Sequence, residues 1–165
     1  MRKGKLLFGL VTLVTIYSCQ NKPQEDDNRF RGMWRLDKFE SFDSISNKWV
    51  DDTTFMDYTG YILYDGKGHV GVHLTPKGYK DFNTMKNIDS LDIDQLKALV
   101  KFYKSNFVYF GDYTLVNDST IEHKRLSATE PQNWGTTLTR FFSFNKDTLV
   151  LRLSGKKTRV RWIKL

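Results

Sequence analysis

Arg140 stands in the run Leu138-Thr139-Arg140-Phe141-Phe142-Ser143-Phe144, where period-two alternation sets Leu138, Arg140, Phe142 and Phe144 on one face of a strand. A guanidinium therefore shares the face that otherwise reads as core. By the same alternation His123 falls with Ile121. An unpaired buried charge is very costly, so Arg140 needs either a protein partner or a ligand. As a binding site, Arg140 holds a ligand carboxylate through its planar fork. His123 and Tyr109 then donate or accept hydrogen bonds, and Trp34 or Trp134 supplies an apolar wall. As a structural latch, Arg140 instead pairs with Glu122, Asp112 or a loop carbonyl and stacks on Trp134. A third reading makes His123 an acid or base beside Arg140, which requires both side chains to face one accessible pocket.

Other chemistries find less support. His69 and His73 lie four apart on one strand face, too far separated for routine chelation, and no cysteine or acidic neighbour completes a zinc pattern. No nucleophile-elbow motif frames a serine, and Gly66 and Gly68 are explained by turn geometry rather than by a phosphate loop. No catalytic residue, metal or cofactor is assigned. The chain carries 26 Lys and Arg against 19 Asp and Glu, a net charge of +7. Clustered base-stacking aromatics on a basic groove are missing, so no nucleic-acid partner is expected. Oligomeric state is left open.

The single cysteine, Cys19, stands where an apolar run gives way to polar residues. Arg2, Lys3 and Lys5 precede the run Leu6 to Tyr17, a signal-peptide layout too short for a permanent span, which needs about 20 apolar residues. Ile16-Tyr17-Ser18-Cys19 resembles the bacterial lipobox, although Tyr17 is bulkier than the residue usual there. That resemblance implies a lipidated Cys19 at the mature N-terminus, a membrane partner through the lipid, and, with Gln20 following, retention at the outer membrane. Removal of residues 1–18 also removes three basic side chains and leaves 147 residues with 23 basic against 19 acidic, a net charge of +4. Such a length suits one domain with a full core. Residues 19–31 are polar around Pro23 and Glu25-Asp26-Asp27 and read as a disordered tether, which leaves 32–165 as the folded domain.

What must position Arg140 and His123 is a set of short strands. A first strand runs from Gly32 to about Phe42, and Asn47 to Thr54 reads as a loop or short excursion. Tyr61–Tyr64 turns through Asp65-Gly66-Lys67-Gly68 into Val70–Leu74, because Asp-Gly and Gly supply positive φ. Leu91, Ile93, Leu96, Leu99, Val100 and Tyr103 then fit a helix stripe capped by Ser90 or Asp92 and expected to pack on the core. Five strands follow: Phe107–Val116, Thr120–Ser127, Thr137–Phe144, Thr148–Leu153 and Thr158–Leu165. Short turns make a meander, and eight antiparallel strands close into an all-β up-and-down barrel wide enough for side chains or one small ligand. The helical insertion lies between the third and fourth strands.

Gly32-Met33-Trp34, with Arg159 and Arg161 on the last strand, is similar to the lipocalin signature, in which a tryptophan closes one barrel end under an arginine. The series Tyr109-Phe110-Gly111-Asp112-Tyr113, His123, Pro131-Gln132-Asn133-Trp134-Gly135, Arg140-Phe141-Phe142 and Leu149-Val150-Leu151 resembles the bacterial lipocalin-like domain family. The resemblance implies a barrel with a cavity for a small apolar or amphipathic molecule. Tyr61, Tyr64, Phe107, Tyr109, Phe142 and Phe144 either line that cavity or fill it. If they fill it, the barrel is an envelope structural or protein-interaction module without a ligand.

Overall fold

A computed structural model describes residues 28–55, 57–81 and 88–165. The expected signal peptide, Cys19 and most of the tether lie outside the described residues. Among the described residues, nine antiparallel strands run in chain order: β1 Gly32–Asp43, β2 Lys48–Asp51, β3 Tyr58–Tyr64, β4 His69–Pro76, β5 Phe107–Asn117, β6 Thr120–Ala128, β7 Thr137–Asn145, β8 Thr148–Leu153 and β9 Thr158–Lys164. Each strand from β3 onward pairs with the next, and β1 pairs with both β3 and β9. That last pairing removes both edges, so β1 and β3–β9 form the expected closed eight-stranded barrel. The helix α1, Ile93–Lys104, lies between the third and fourth barrel strands, β4 and β5.

The segment 47–54 is more ordered than a loop. β2 folds back on the end of β1, pairing Glu40 with Asp51 and Asp43 with Lys48, around Asn47 at φ 54°. Its four residues carry too little alternation to declare a strand, and tertiary pairing supplies the rest. Glu40 is buried beneath this flap, where Arg159 Nε donates to it at 2.5 Å. A bulge between Leu36 and Lys38 reverses the alternation of β1. Trp34 and Leu36 point inward before it, and Phe39 takes the inward position after it.

The barrel has a filled end and an open end. Call the end where β1 starts the floor and the end where β4 leaves the barrel toward α1 and β5 re-enters it the mouth. Phe30 plugs the floor with no exposed surface, its ring edge-on to Tyr64, Phe142 and Phe144 at 5.0, 4.8 and 4.9 Å. Phe30 thus belongs to the core although it precedes the domain boundary expected at Gly32. Trp34 is buried beside it and its indole donates to the Phe30 carbonyl at 2.7 Å. The cation over Trp34 is Lys164, at 5.1 Å, and not Arg159 or Arg161. Register explains this: Trp34 faces Lys164 across the β1–β9 ladder, while Arg159 lies over Trp49 of the flap and Arg161 pairs with Asp37.

At the mouth, Asp92 caps α1 by accepting from the backbone of Asp94 and Gln95, and the Gln95 side chain accepts from Asp92 N–H. This capping box fixes the first turn. The apolar stripe of α1 does not pack as expected. Only Leu99 is buried, while Ile93, Val100 and Tyr103 remain exposed. A closed barrel already buries its own inner face, so a helix inserted between two of its strands has little apolar surface to lie against.

Candidate functional site

Inward positions change character from floor to mouth. The floor half is packed with aromatic and aliphatic side chains, and above it lies a cavity of about 400 Å³. Its deeper wall includes Val72, Leu151, Trp162 and Arg140, and its upper wall Phe39, Tyr58, Leu74, Phe107 and Val160. Lys104, Ser105, Asn106, Glu130 and Asn133 give it a polar rim. Such a volume lies in the range of small-molecule sites, roughly 300–1,000 Å³.

Beneath the cavity His123 is completely buried between two tyrosines. Tyr64 Oη lies 3.0 Å from its Nε2 and Tyr109 Oη 2.7 Å from its Nδ1. Burial, reinforced by the nearby Arg140 guanidinium, holds the imidazole well below its ordinary pKa, so it is neutral. A neutral ring donates at one nitrogen and accepts at the other, so one tyrosine accepts from it and the other donates to it. Burial raises both phenols, which stay protonated. His123 and Tyr109 are absent from the cavity lining. With both nitrogens engaged and no opening onto the cavity, His123 lacks the geometry that the acid–base reading requires.

Arg140 does reach the cavity. It is 8% exposed, its Nε has no hydrogen-bond partner, and among the described residues no carboxylate lies within ion-pair distance of it. Glu122, one latch partner considered above, instead accepts from Thr139 Oγ at 3.1 Å. Trp134 is 58% exposed, and its indole donates to the Ala128 carbonyl at 2.6 Å. Neither Trp134 nor Trp34 lines the cavity. Of the six aromatic candidates for a lining, Phe107 alone belongs to it. Tyr61 faces outward, and Tyr64, Phe142 and Phe144 fill the floor.

Two residues not singled out from the sequence also line the cavity. Arg125 is 7% exposed; its Nε donates to Thr136 Oγ at 3.0 Å and its Nη2 to the same oxygen. Thr136 Oγ in turn donates to the Asn133 carbonyl at 2.7 Å, which fixes where this guanidinium points. Burial presses Arg125 below its ordinary pKa, and Arg140 nearby acts in the same direction. Trp162 is 1% exposed and its indole N–H has no partner among the described residues. A signal for both was present, since Arg125 continues the inward series Ile121, His123, and Trp162 alternates with Val160.

The histidines of β4 do not line this cavity. Both are exposed, and His69 Nδ1 meets Asp65 at 2.5 Å. Among the described residues no group of three or more His, Cys, Asp or Glu side chains could hold a metal ion.

No curated protein matches the chain. A solved lipocalin-like protein from Bacteroides uniformis superposes with a TM-score of 0.45 at 13% identity, covering 83% of this chain and 99% of that one. A point mutant of the fluorescent protein UnaG superposes at 0.37 with 14% identity, covering 83% and 96%. A family model, that of the lipocalin-like domain, matches residues 31–163. With that match extending over nearly the whole barrel, the chain belongs to the lipocalin-like domain family.

Proposed function

We propose that this chain is a lipoprotein anchored in the bacterial outer membrane through acylated Cys19, whose barrel binds a small apolar or amphipathic molecule in its mouth half. The observation that carries the binding reading is the cavity of about 400 Å³ between a packed floor and a polar-rimmed mouth. A barrel serving only as an interaction module has no reason to leave this half empty, because each void forfeits contacts its lining atoms would otherwise make. The wall suits an apolar body: Phe39, Tyr58, Leu74 and Phe107 surround its upper part.

Titration with the neutral dye Nile red tests the reading. Saturable fluorescence enhancement is expected for the wild type, and Leu74→Trp, which fills the upper cavity, is expected to weaken it at least tenfold. A wild-type protein that gives no saturable signal would overturn the ligand-binding reading.

A further inference from the structure

Two guanidiniums and one indole line the cavity, and their hydrogen-bonding state differs from that of the polar groups beneath it. His123 and Tyr109 satisfy one another. Arg140 Nε and Trp162 Nε1, both more than nine-tenths buried, have no partner among the described residues, and both line the same cavity. Arg125, equally buried, is held in place by the uncharged Thr136 oxygen, which leaves its charge unneutralised by that contact. The carboxylate that lines the cavity, Glu130, is exposed at the rim with Lys104; it attracts Arg125 from a distance but forms no ion pair with it among the described residues. The deep wall therefore presents donors and positive charge, and its remaining residues are largely apolar.

Leaving two such donors unmade in a buried site is expensive, about 1–3 kcal/mol for each neutral group and more for a charged one. A ligand that is wholly apolar would seal them from water and make that penalty permanent. An alcohol or amide can accept from them, but it brings a donor of its own and no charge to meet the guanidiniums. A carboxylate offers only acceptors, two oxygens with about four lone-pair sites, in a plane that matches the guanidinium fork.

Resting on the reading of this cavity as a ligand site, we infer that its occupant is an amphipathic carboxylic acid, its carboxylate held by Arg140, Arg125 and the Trp162 indole and its apolar body directed toward the mouth. The polarity of the barrel fixes that direction. Arg140 and Trp162 lie midway along β7 and β9, whereas Tyr58 and Phe107 are the mouth-end residues of β3 and β5. Arg125 acts as a second cationic contact whose position is set by Thr136.

The test compares 11-(dansylamino)undecanoic acid with its methyl ester on the purified protein at neutral pH. The wild type is expected to bind the acid about 10–100-fold more tightly than the ester, the span a charge-assisted hydrogen bond supplies. Arg140→Met is expected to weaken the acid about tenfold or more while leaving the ester unchanged. Trp162→Phe, which keeps an aromatic ring and removes one donor, is expected to weaken the acid about tenfold and spare the ester. The comparison in the wild type requires no variant to fold. Equal binding of acid and ester would overturn the inference and leave the cavity reading intact. Failure of both probes, together with Nile red, would overturn the two together. Stronger displacement of the probe by dodecyl phosphate than by dodecanoic acid would overturn the carboxylate assignment.

Discussion

A further proton on an imidazole bonded at both nitrogens puts a buried charge beside Arg140 and forces the tyrosine that donated to it to accept instead. His123 is held below its ordinary pKa in the folded chain, so at mildly acidic pH the unfolded chain binds one proton more than the folded one. Stability then rises with pH in that window and is lost as pH falls below about 6.5, by up to roughly 1.4 kcal/mol per unit. His69, raised by its bond to Asp65, works the other way and gains its partner's help as pH falls. The two are separated by a variant: His123→Gln is expected to be less stable at pH 7.5 yet to lose less than the wild type between pH 7 and pH 5. Denaturant unfolding across that range checks it, and parallel pH curves for the two proteins would refute the assignment. Placing Arg140 and His123 inside the barrel was possible from alternation alone, because a strand leaves only two faces. Which inward residues meet across the barrel was not, since that depends on strand tilt and register. Hence His123 found Tyr64 and Tyr109 instead of the cavity, and Trp162 joined Arg140 unannounced.

Strands and turns were legible where local chemistry decided them. Asp65 to Gly68 forms the expected hairpin, with Gly66 and Gly68 at φ 73° and 97°. Elements decided by tertiary contact were not legible, as β2 shows, and an amphipathic stripe such as that of α1 cannot say whether anything waits to cover it. Bulges belong to the same class, because nothing in a strand's own residues marks where its partner will shift. The β5–β6 ladder shifts between Phe110 and Gly111, and a methyl group at Gly111 would collide with the Lys124 carbonyl oxygen. Gly111→Ala is therefore expected to cost roughly 2–3 kcal/mol through overpacking. Gly78→Ala, with nothing near its Cβ position, serves as the control and should leave the melting temperature within about 2 °C. Equal stability of both variants would mean that the ladder relaxes around this site.

At the scale of the molecule, ladder closure between β1 and β9 makes the barrel one cooperative unit, and its membrane attachment is a separate matter that Cys19 is proposed to settle. Three acyl chains exceed the two signals that stable anchoring needs. Cys19→Ser is expected to shift the protein from the membrane pellet to the soluble fraction after a high-salt wash. A mutant that still pellets, with no acyl label on the wild type, would remove the anchor. The lodging of Phe30 in the floor then acquires a geographical meaning. Ten residues lie between it and Cys19, a reach of at most about 40 Å. Under the proposed anchoring, the tether would join the barrel at its sealed end and leave its open end free of the attachment. Cargo would be exchanged with whatever arrives through the water, and passage straight out of the supporting leaflet would face a wall of stacked aromatic rings.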